Sequence, residues 1–206
     1  MSTQLLKKLE GMGRLRLSRN FFMRDFLHSE VAGINGIVNQ PTDFDLAVFA
    51  GRHLCEELLE PLQTTFGRIH IRSGYRSAEL NAYCHEHRLG RASNDLNRAH
   101  HIWDLRDADG YCGASACIVI PWFIDRYSDP GDRQRMAWWI HDHLPYSTLK
   151  FFSKLSAFNI GWHEKPKRRI DSVAYPRGCL TKPGMANHAG SHAALYRGFP
   201  ELRLPG

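Results

Sequence analysis

The cysteines of this sequence follow no recognisable pattern. The chain has five cysteines among 206 residues, and no two of them form a C-x-x-C pair. An odd number excludes a complete disulfide framework within one chain, and the missing pair argues against a cysteine zinc site. We therefore expect reduced thiols, as in proteins of a reducing compartment.

Long apolar runs are also missing. No segment approaches the roughly 20 apolar residues that span a bilayer, so the sequence predicts no membrane span. The N-terminal stretch MSTQLLKKLEGMGRLRLSRNFFMRDF carries charges throughout and lacks the uncharged centre of a signal peptide. We expect no export signal, and a protein that stays cytoplasmic until it is released or that is associated with a virion.

Internal repeats, zinc-finger spacing, RNP-type motifs and coiled-coil heptads are absent, but positive charge is present. The formal net charge is +6, and HEKPKRR forms a basic run at 163–169. This charge favours anionic partners such as a cell wall or nucleic acid. Because no nucleic-acid motif accompanies it, we expect nucleic acid to be the less favoured partner.

Hydrophobic periodicity predicts a mixture of helices and strands. Helices are predicted at 43–67, 77–90 and 129–144, with Asp43 or Asp45 and then Ser77 as N-caps. Pro61 is expected to end or kink the first of them. Strands are predicted from 68 and over 157–164, whereas 116–127 fits either a strand or a buried helix. The Gly- and Pro-rich tail is predicted to form loops that pack over the domain. The overall fold class is predicted to be α+β.

The stretch RAHHIWDLRDADG, residues 98–110, concentrates histidine and aspartate. Zinc prefers imidazole nitrogen and carboxylate oxygen at roughly 2.0–2.2 Å. His100 and Asp107 would lie about 10 Å apart on a straight helix and farther apart on a strand, so neither element lets them share an ion. If both bind one metal, the chain must bend or reverse between residues 101 and 106.

A second motif changes the interpretation of that stretch. SGYRSAELN, residues 73–81, follows a predicted strand and opens a helix, and a His-x6-Asp pair comes about twenty residues later. This arrangement resembles the M15 family of zinc peptidases, which includes D-Ala-D-Ala carboxypeptidases and L-alanyl-D-glutamate endolysins. The resemblance covers roughly 21–170. It implies an M15-like α+β domain with a small antiparallel sheet that carries the zinc, an N-terminal basic segment at 1–20 and a loop-rich C-terminal extension at 171–206 packed on the domain.

The resemblance also implies roles for individual residues. His100, Asp107 and His163 would be the zinc ligands. Arg76 would face the substrate carbonyl or carboxylate, where a guanidinium can stabilise an oxyanion. Ser73 and Tyr75 would shape the substrate site beside it, although a turn held by Ser73 and a packed Tyr75 are the simpler interpretation of those two.

The sequence departs from the family where a general base is needed. Many members place an acid three residues before the last ligand, but Ile160 stands there. Glu164, next to His163, is the nearest acid and is the predicted base, with Asp104 or Asp142 as alternatives. Three further departures are large or charged side chains where the family has small ones. These departures are Arg98, Trp103 and Leu105.

Other histidines could supply rival ligand sets. His101 lies beside His100, but it precedes Asp107 with the spacing His-x5-Asp and not with the His-x6-Asp spacing of the family. The other rivals are the pairs at 141 and 143, at 188 and 192, and at 85 and 87, for which surface or structural roles are expected.

Three functions are compatible with these observations. The first is a zinc peptidase that cleaves D-Ala-D-Ala or L-Ala-D-Glu bonds of peptidoglycan stem peptides with metal-activated water. The second is an M15-like structural or wall-binding module without turnover. Ile160, which stands where many family members have an acid, favours this function. The third is a nucleic-acid-binding protein that uses KPKRR, but this reading leaves SGYRS, His100 and Asp107 unexplained.

Overall fold

The structure is a computed structural model that describes residues 3–89 and 93–206. None of the described helices is both long and apolar enough to cross a membrane. A π-helical turn, Cys55–Leu59, joins α4 to α5. The α-helices of the described ranges are α1 Thr3–Gly13, α2 Arg24–Leu27, α3 Glu30–Asn35, α4 Phe44–Leu54, α5 Glu60–Phe66, α6 Ala78–Glu86, α7 Asn94–Asn97, α8 Pro121–Ile124 and α9 Arg133–His143.

The centre of the fold is a six-stranded sheet with the order β1-β2-β4-β3-β5-β6. Its strands are β1 His70–Ser73, β2 Gly113–Val119, β3 Thr148–Phe151, β4 Phe158–His163, β5 Arg169–Ser172 and β6 Gly178–Thr181. The expected α+β class is confirmed. The expectation of an antiparallel sheet is corrected at one pair, because β3 and β5 run parallel. This follows from the connection: β5 reverses the direction of β4 and lies on the far side of β3.

The side chains of the sheet alternate between two faces. On one face, Ala116, Ile160 and Leu149 lie in register across β2, β4 and β3 and are buried against Ala50 and Leu54 of α4. We call the opposite face the cleft face. It carries Ser115, Cys117, Thr148, Lys150, Asn159, Gly161 and His163.

Local signals in the sequence account for several helix boundaries. Asp43 caps α4 and Ser77 caps α6, each through a side-chain hydrogen bond to a first-turn amide. Both caps confirm the prediction. The helical run continues through Pro61 to Phe66, but its α-helical part is interrupted by the π-helical turn just before the proline, which lies in the first turn of α5, where a missing N–H is tolerated. The predicted helix 77–90 ends at Glu86, and Gly90 lies outside the described residues.

Other predictions hold only in part. The ambiguous run 116–127 contains both forms, since β2 ends at Val119 and α8 follows it. The predicted helix at 129–144 and strand at 157–164 are confirmed by α9 and β4. The boundary drawn at residue 170 falls inside β5, and β6 also belongs to the sheet, so the tail is not loop throughout.

The last part of the chain, 182–206, which we call the C-terminal arm, is bound to α9. Asp142 accepts hydrogen bonds from the His192 backbone at 2.7 Å, from His192 Nδ1 at 2.6 Å and from the Tyr196 hydroxyl at 2.8 Å. The Trp139 indole donates to the Pro200 carbonyl at 3.0 Å. These contacts hold the arm against α9.

Asp142→Asn tests this attachment. We expect it to lower the free energy of unfolding by about 2–3 kcal/mol, because a buried carboxylate loses its charge-assisted bonds. Burial alone would raise the pKa of Asp142, but the hydrogen bonds from His192 and Tyr196 hold it below its ordinary value. A lowered pKa in the folded state gives a stabilisation that is present above about pH 4 and is lost as the pH falls further. Urea titrations from about pH 7 to about pH 3 measure this, and a difference between variant and wild type that is constant over the range would contradict it.

Candidate metal centre and substrate cleft

Asp107 and His163 are in direct contact. Asp107 Oδ2 lies 3.1 Å from His163 Nε2. The other carboxylate oxygen, Oδ1, accepts the backbone N–H groups of Asp109 and Tyr111 at 3.0 and 2.9 Å. Burial alone would raise the pKa of Asp107, but these amides and the imidazole hold it below its ordinary value. The turn therefore fixes an ionised carboxylate with one oxygen directed at His163.

The other nitrogen of His163 is held by the backbone. His163 is the last residue of β4, and its Nδ1 lies 2.9 Å from the carbonyl oxygen and 3.0 Å from the amide nitrogen of Lys165. The Lys165 N–H donates to Nδ1, which places the proton on Nε2, where it donates to Asp107 Oδ2. Only the other tautomer, in which Nδ1 donates to the Lys165 carbonyl, leaves the lone pair of Nε2 for a metal. A metal-binding imidazole needs this tautomer and this kind of backbone partner.

His100 lies over the same sheet face. Its Nδ1 is 3.2 Å from the Ser115 hydroxyl oxygen, and Nε2 has no hydrogen-bond partner among the described residues. Burial, followed by the positive charges of Arg76, Lys167 and Lys150, lowers the pKa of His100 to about 4. The imidazole is therefore neutral near pH 7, which is the form that binds metals.

Gly113 lets the two parts of this site approach each other. It pairs with His163 across β2 and β4. A Cβ at this position would lie 2.8 Å from the His163 ring and would overlap the Ala99 carbonyl oxygen. The Ala99 amide also donates to the Leu105 carbonyl at 2.8 Å, so the chain reverses between them. The bend that a shared metal requires is thus present, and the loop that leads into His100 packs beside His163.

The side-chain positions alone do not form a complete metal site. Within residues 3–89 and 93–206, no three His, Cys, Asp or Glu side chains form a group that could hold a metal ion. Two of the predicted ligands touch, and His100 borders the same sheet face. That all three share one ion stays a prediction.

His101, the nearest rival of His100, is engaged on both ring nitrogens. Nδ1 lies 3.0 Å from the Gly74 carbonyl oxygen, and Nε2 lies 3.2 Å from the Asn159 amide nitrogen. The His101 carbonyl also accepts the Arg76 amide at 2.8 Å. His101 therefore ties the SGYRS turn to β4, which is a structural role.

A cleft of about 780 Å³ opens on the cleft face, and Ser73, Arg76 and His100 line it. Arg76 is buried, and its Nη1 donates to Asn81 Oδ1 at 2.9 Å. Asn81 is held in turn by Asn94, whose side-chain oxygen lies 2.8 Å from Asn81 Nδ2. The guanidinium is thus positioned before any ligand arrives, as oxyanion or carboxylate binding requires.

Tyr75 supports the site from the interior. Its hydroxyl lies 3.0 Å from Asp104 Oδ1 and 3.1 Å from the Gln40 carbonyl oxygen, and burial with the nearby Asp104 charge raises its pKa. Asp104 Oδ2 accepts the Thr42 amide at 2.8 Å. Although Tyr75 borders the cleft, its hydroxyl is committed to this buried network, and so is Asp104, one of the alternative acids.

The departures at Trp103 and Arg98 also have physical explanations. Trp103 is fully buried against α4, where a Cβ on Gly51 would come within 2.9 Å of its ring. Its indole donates to the Ser115 carbonyl at 3.2 Å. The glycine therefore makes room for the large ring. Arg98 lies at the surface and pairs with Asp95 at 3.4 Å.

The predicted general base, Glu164, has partners of its own. Its Oε2 accepts the Cys112 amide at 2.7 Å and lies 3.5 Å from an Arg106 guanidinium nitrogen. Ile160, by contrast, belongs to the core face and His163 to the cleft face. A side chain at position 160 therefore points into the core, away from His163. The alternative acid Asp142 binds the C-terminal arm.

The remaining histidine pairs have structural or surface roles. His141 lies 2.7 Å from the Tyr146 hydroxyl and 2.9 Å from the His188 carbonyl oxygen, while His143 Nδ1 lies 2.9 Å from the Trp139 carbonyl oxygen. His192 is paired with Asp142, and His85 and His87 are exposed at the end of α6.

Sequence reasoning missed three residues near the site. Ser115 positions His100, Asn159 contacts His101, and Lys150 lines the cleft. The period-two alternation of β4 could have found Asn159, since it shares a face with His163. Lys150 gave no such signal, because its position follows only from the strand order.

Comparisons with protein-family models, with curated proteins and with solved structures found no match to this chain.

Proposed function

We propose that the protein is a zinc-dependent peptidase that hydrolyses stem peptides of peptidoglycan, at a D-Ala-D-Ala or L-Ala-D-Glu type of bond. The observation that carries the proposal is the pair of Asp107 Oδ2 and His163 Nε2, 3.1 Å apart on the sheet face that His100 also borders. The resemblance of SGYRSAELN and His-x6-Asp to the M15 family supplies the reaction class.

The donor chemistry suits zinc. One carboxylate oxygen and two imidazole nitrogens are ligands that zinc takes in hydrolytic sites. Each predicted ligand also has a second partner that orients it: backbone amides for Asp107, Lys165 for His163 and Ser115 for His100. Such partners orient the ligand side chains.

Bound zinc would supply a Lewis acid that lowers the pKa of water and polarises a carbonyl. The chain's own groups do the rest. Arg76, held by Asn81, binds the substrate carbonyl or carboxylate in the cleft. Ser73 lines the same cleft and offers a hydroxyl to the peptide backbone. Glu164 is the proposed proton acceptor and would exchange its contact with Arg106 for one with water.

Metal content and hydrolysis, measured on the same samples, test this function. We expect one zinc per chain and release of new amino groups from purified peptidoglycan. A chelator should abolish the release, and added zinc should restore it. A protein without zinc, or a zinc protein whose hydrolysis is unaffected by the chelator, would overturn the proposal.

A module that has kept the site but lost turnover is the second candidate. The contacts of Glu164 favour it, because its carboxylate is bound to the Cys112 amide and to Arg106. Glu164→Gln separates the two candidates. For the enzyme, we expect the variant to keep its zinc and to lose hydrolysis by about a hundredfold or more. Zinc binding by the wild type without any hydrolysis would establish the module instead.

A further inference from the structure

Lys150 brings an ammonium group without an ion-pair partner into the cleft. It lies on the cleft face of β3, opposite Asn159 of β4. It lines the cleft together with Arg72 and Arg76. Among the described residues, the Lys150 ammonium has no hydrogen-bond or ion-pair partner. A cation in such a position is open to a ligand.

The acidic groups near Lys150 do not neutralise it. Asp171 is in register with it on β5, but the two carboxylate oxygens of Asp171 accept Arg169 at 2.7 and 2.8 Å. Of the described residues that line the cleft, Glu30 is the only acid, and its side chain is 78% exposed. The cleft therefore has an excess of positive charge, which attracts anionic ligands.

The sheet geometry sets the distance between Lys150 and the candidate metal centre. Asn159, opposite Lys150, lies four residues before His163 on β4. Four strand residues span about 13 Å, which is also the length of about four residues of an extended peptide. Because the lysine side chain is long and flexible, its ammonium can reach a group two to four residues from the scissile bond.

We propose that Lys150, assisted by Arg72, binds a substrate carboxylate two to four residues from the scissile bond, so that the site selects acidic peptides. The inference rests on the proposed function and applies to its D-Ala-D-Ala type of bond, from which the glutamyl residue of a stem peptide is the third. The Asn159 amide and the Ser73 hydroxyl, on the same cleft wall, suit the polar backbone of a peptide. Lys150 is thus a specificity-determining residue, distinct from the groups that carry the chemistry.

Equilibrium binding of two labelled peptides tests this assignment. The probes are L-Ala-γ-D-Glu-L-Lys-D-Ala-D-Ala and the same peptide with the glutamyl α-carboxylate converted to an amide. We expect the wild type to bind the free acid about fivefold more tightly, as a partly exposed ion pair provides. Lys150→Met should remove that preference and Lys150→Arg should keep most of it. Lys154→Met, an exposed lysine in the turn after β3, is the matched control and should behave as the wild type.

The outcomes separate this inference from the proposed function, because every protein compared, the wild-type reference included, carries Glu164→Gln, so that binding is measured without turnover. An unchanged preference in Lys150→Met, or no binding of either peptide, overturns the role of Lys150 even if hydrolysis is observed. A preference that depends on Lys150 supports it even if hydrolysis is absent. A short single-stranded oligonucleotide that displaces the acidic peptide at lower concentration than unlabelled peptide would also overturn it, in favour of nucleic acid.

Discussion

Asp107→Asn, His163→Ala and His100→Ala should each lose bound zinc, and hydrolysis should fall by more than about a hundredfold in each, since even partners behind the ligands contribute up to about that factor. Asn is the informative replacement at position 107. Its side-chain oxygen can still accept the amides of Asp109 and Tyr111, so the turn is kept while the negative charge is lost. Zinc per chain and peptidoglycan hydrolysis, measured on the same preparations, give the result.

Matched controls separate the loss of a ligand from a general effect. Asp109→Ala removes an exposed carboxylate from the same turn, and only the backbone amide of Asp109 contacts Asp107. His70→Ala removes an exposed histidine from β1. Both variants should keep zinc and hydrolysis. If Asp107→Asn or His163→Ala retained one zinc per chain, the contact between these two side chains would have to be read as a structural hydrogen bond.

Trp103→Ala should lower the free energy of unfolding by about 3–5 kcal/mol, as expected for a large aromatic residue removed from a core. Trp103 is fully buried, its ring lies 5.1 Å from that of Phe26, and its N–H binds the Ser115 carbonyl. Small domains unfold at a cost of about 5–15 kcal/mol, so this is a large share. Because Trp103 lies between His100 and Asp107 along the chain, the variant should also weaken zinc binding. Urea unfolding and zinc titration measure the two effects.

A double-mutant cycle with Gly51 identifies the packing as the cause. Gly51→Ala alone should destabilise by about 1–3 kcal/mol, because its Cβ would lie 2.9 Å from the Trp103 ring. In the Trp103→Ala background the same substitution should cost little, since the cavity accepts the methyl group. Leu96→Ala, at a side chain that is 75% exposed, should change stability by no more than about 0.5 kcal/mol. Additive effects of the two core substitutions would contradict direct packing.

Local structure in this protein was predictable wherever it depends on interactions between residues close together in sequence. Asp43 and Ser77 cap helices because a side-chain oxygen can reach a first-turn amide, whatever the rest of the fold does. The strand that ends at His163 was readable from its apolar residues. Pro61 does not end the helical run, because the π-helical turn before it places the proline in the first turn of α5.

Features that depend on contacts between residues distant in sequence were not predicted from the sequence. β5 and β6 lie in a segment rich in Gly and Pro, and their strand character depends on pairing with β3 and with each other. The meaning of Ile160 also depended on the sheet, since counting from His163 does not show which face a residue occupies until the register is known. For the candidate site, His100, Asp107 and His163 were named from the resemblance to the M15 family, whereas Lys150 required the strand order.

The pairing of β2 with β4 has a consequence for how the chain folds. Gly113 and His163 are in register although α8, α9 and β3 lie between them in sequence. Closing a loop of that length has an entropic cost before any contact compensates for it, so such pairings form slowly. Asp107 and His163 therefore meet only after the long-range part of the sheet has formed. We expect zinc to act on the nearly finished protein, slowing its unfolding without accelerating the early steps of its folding.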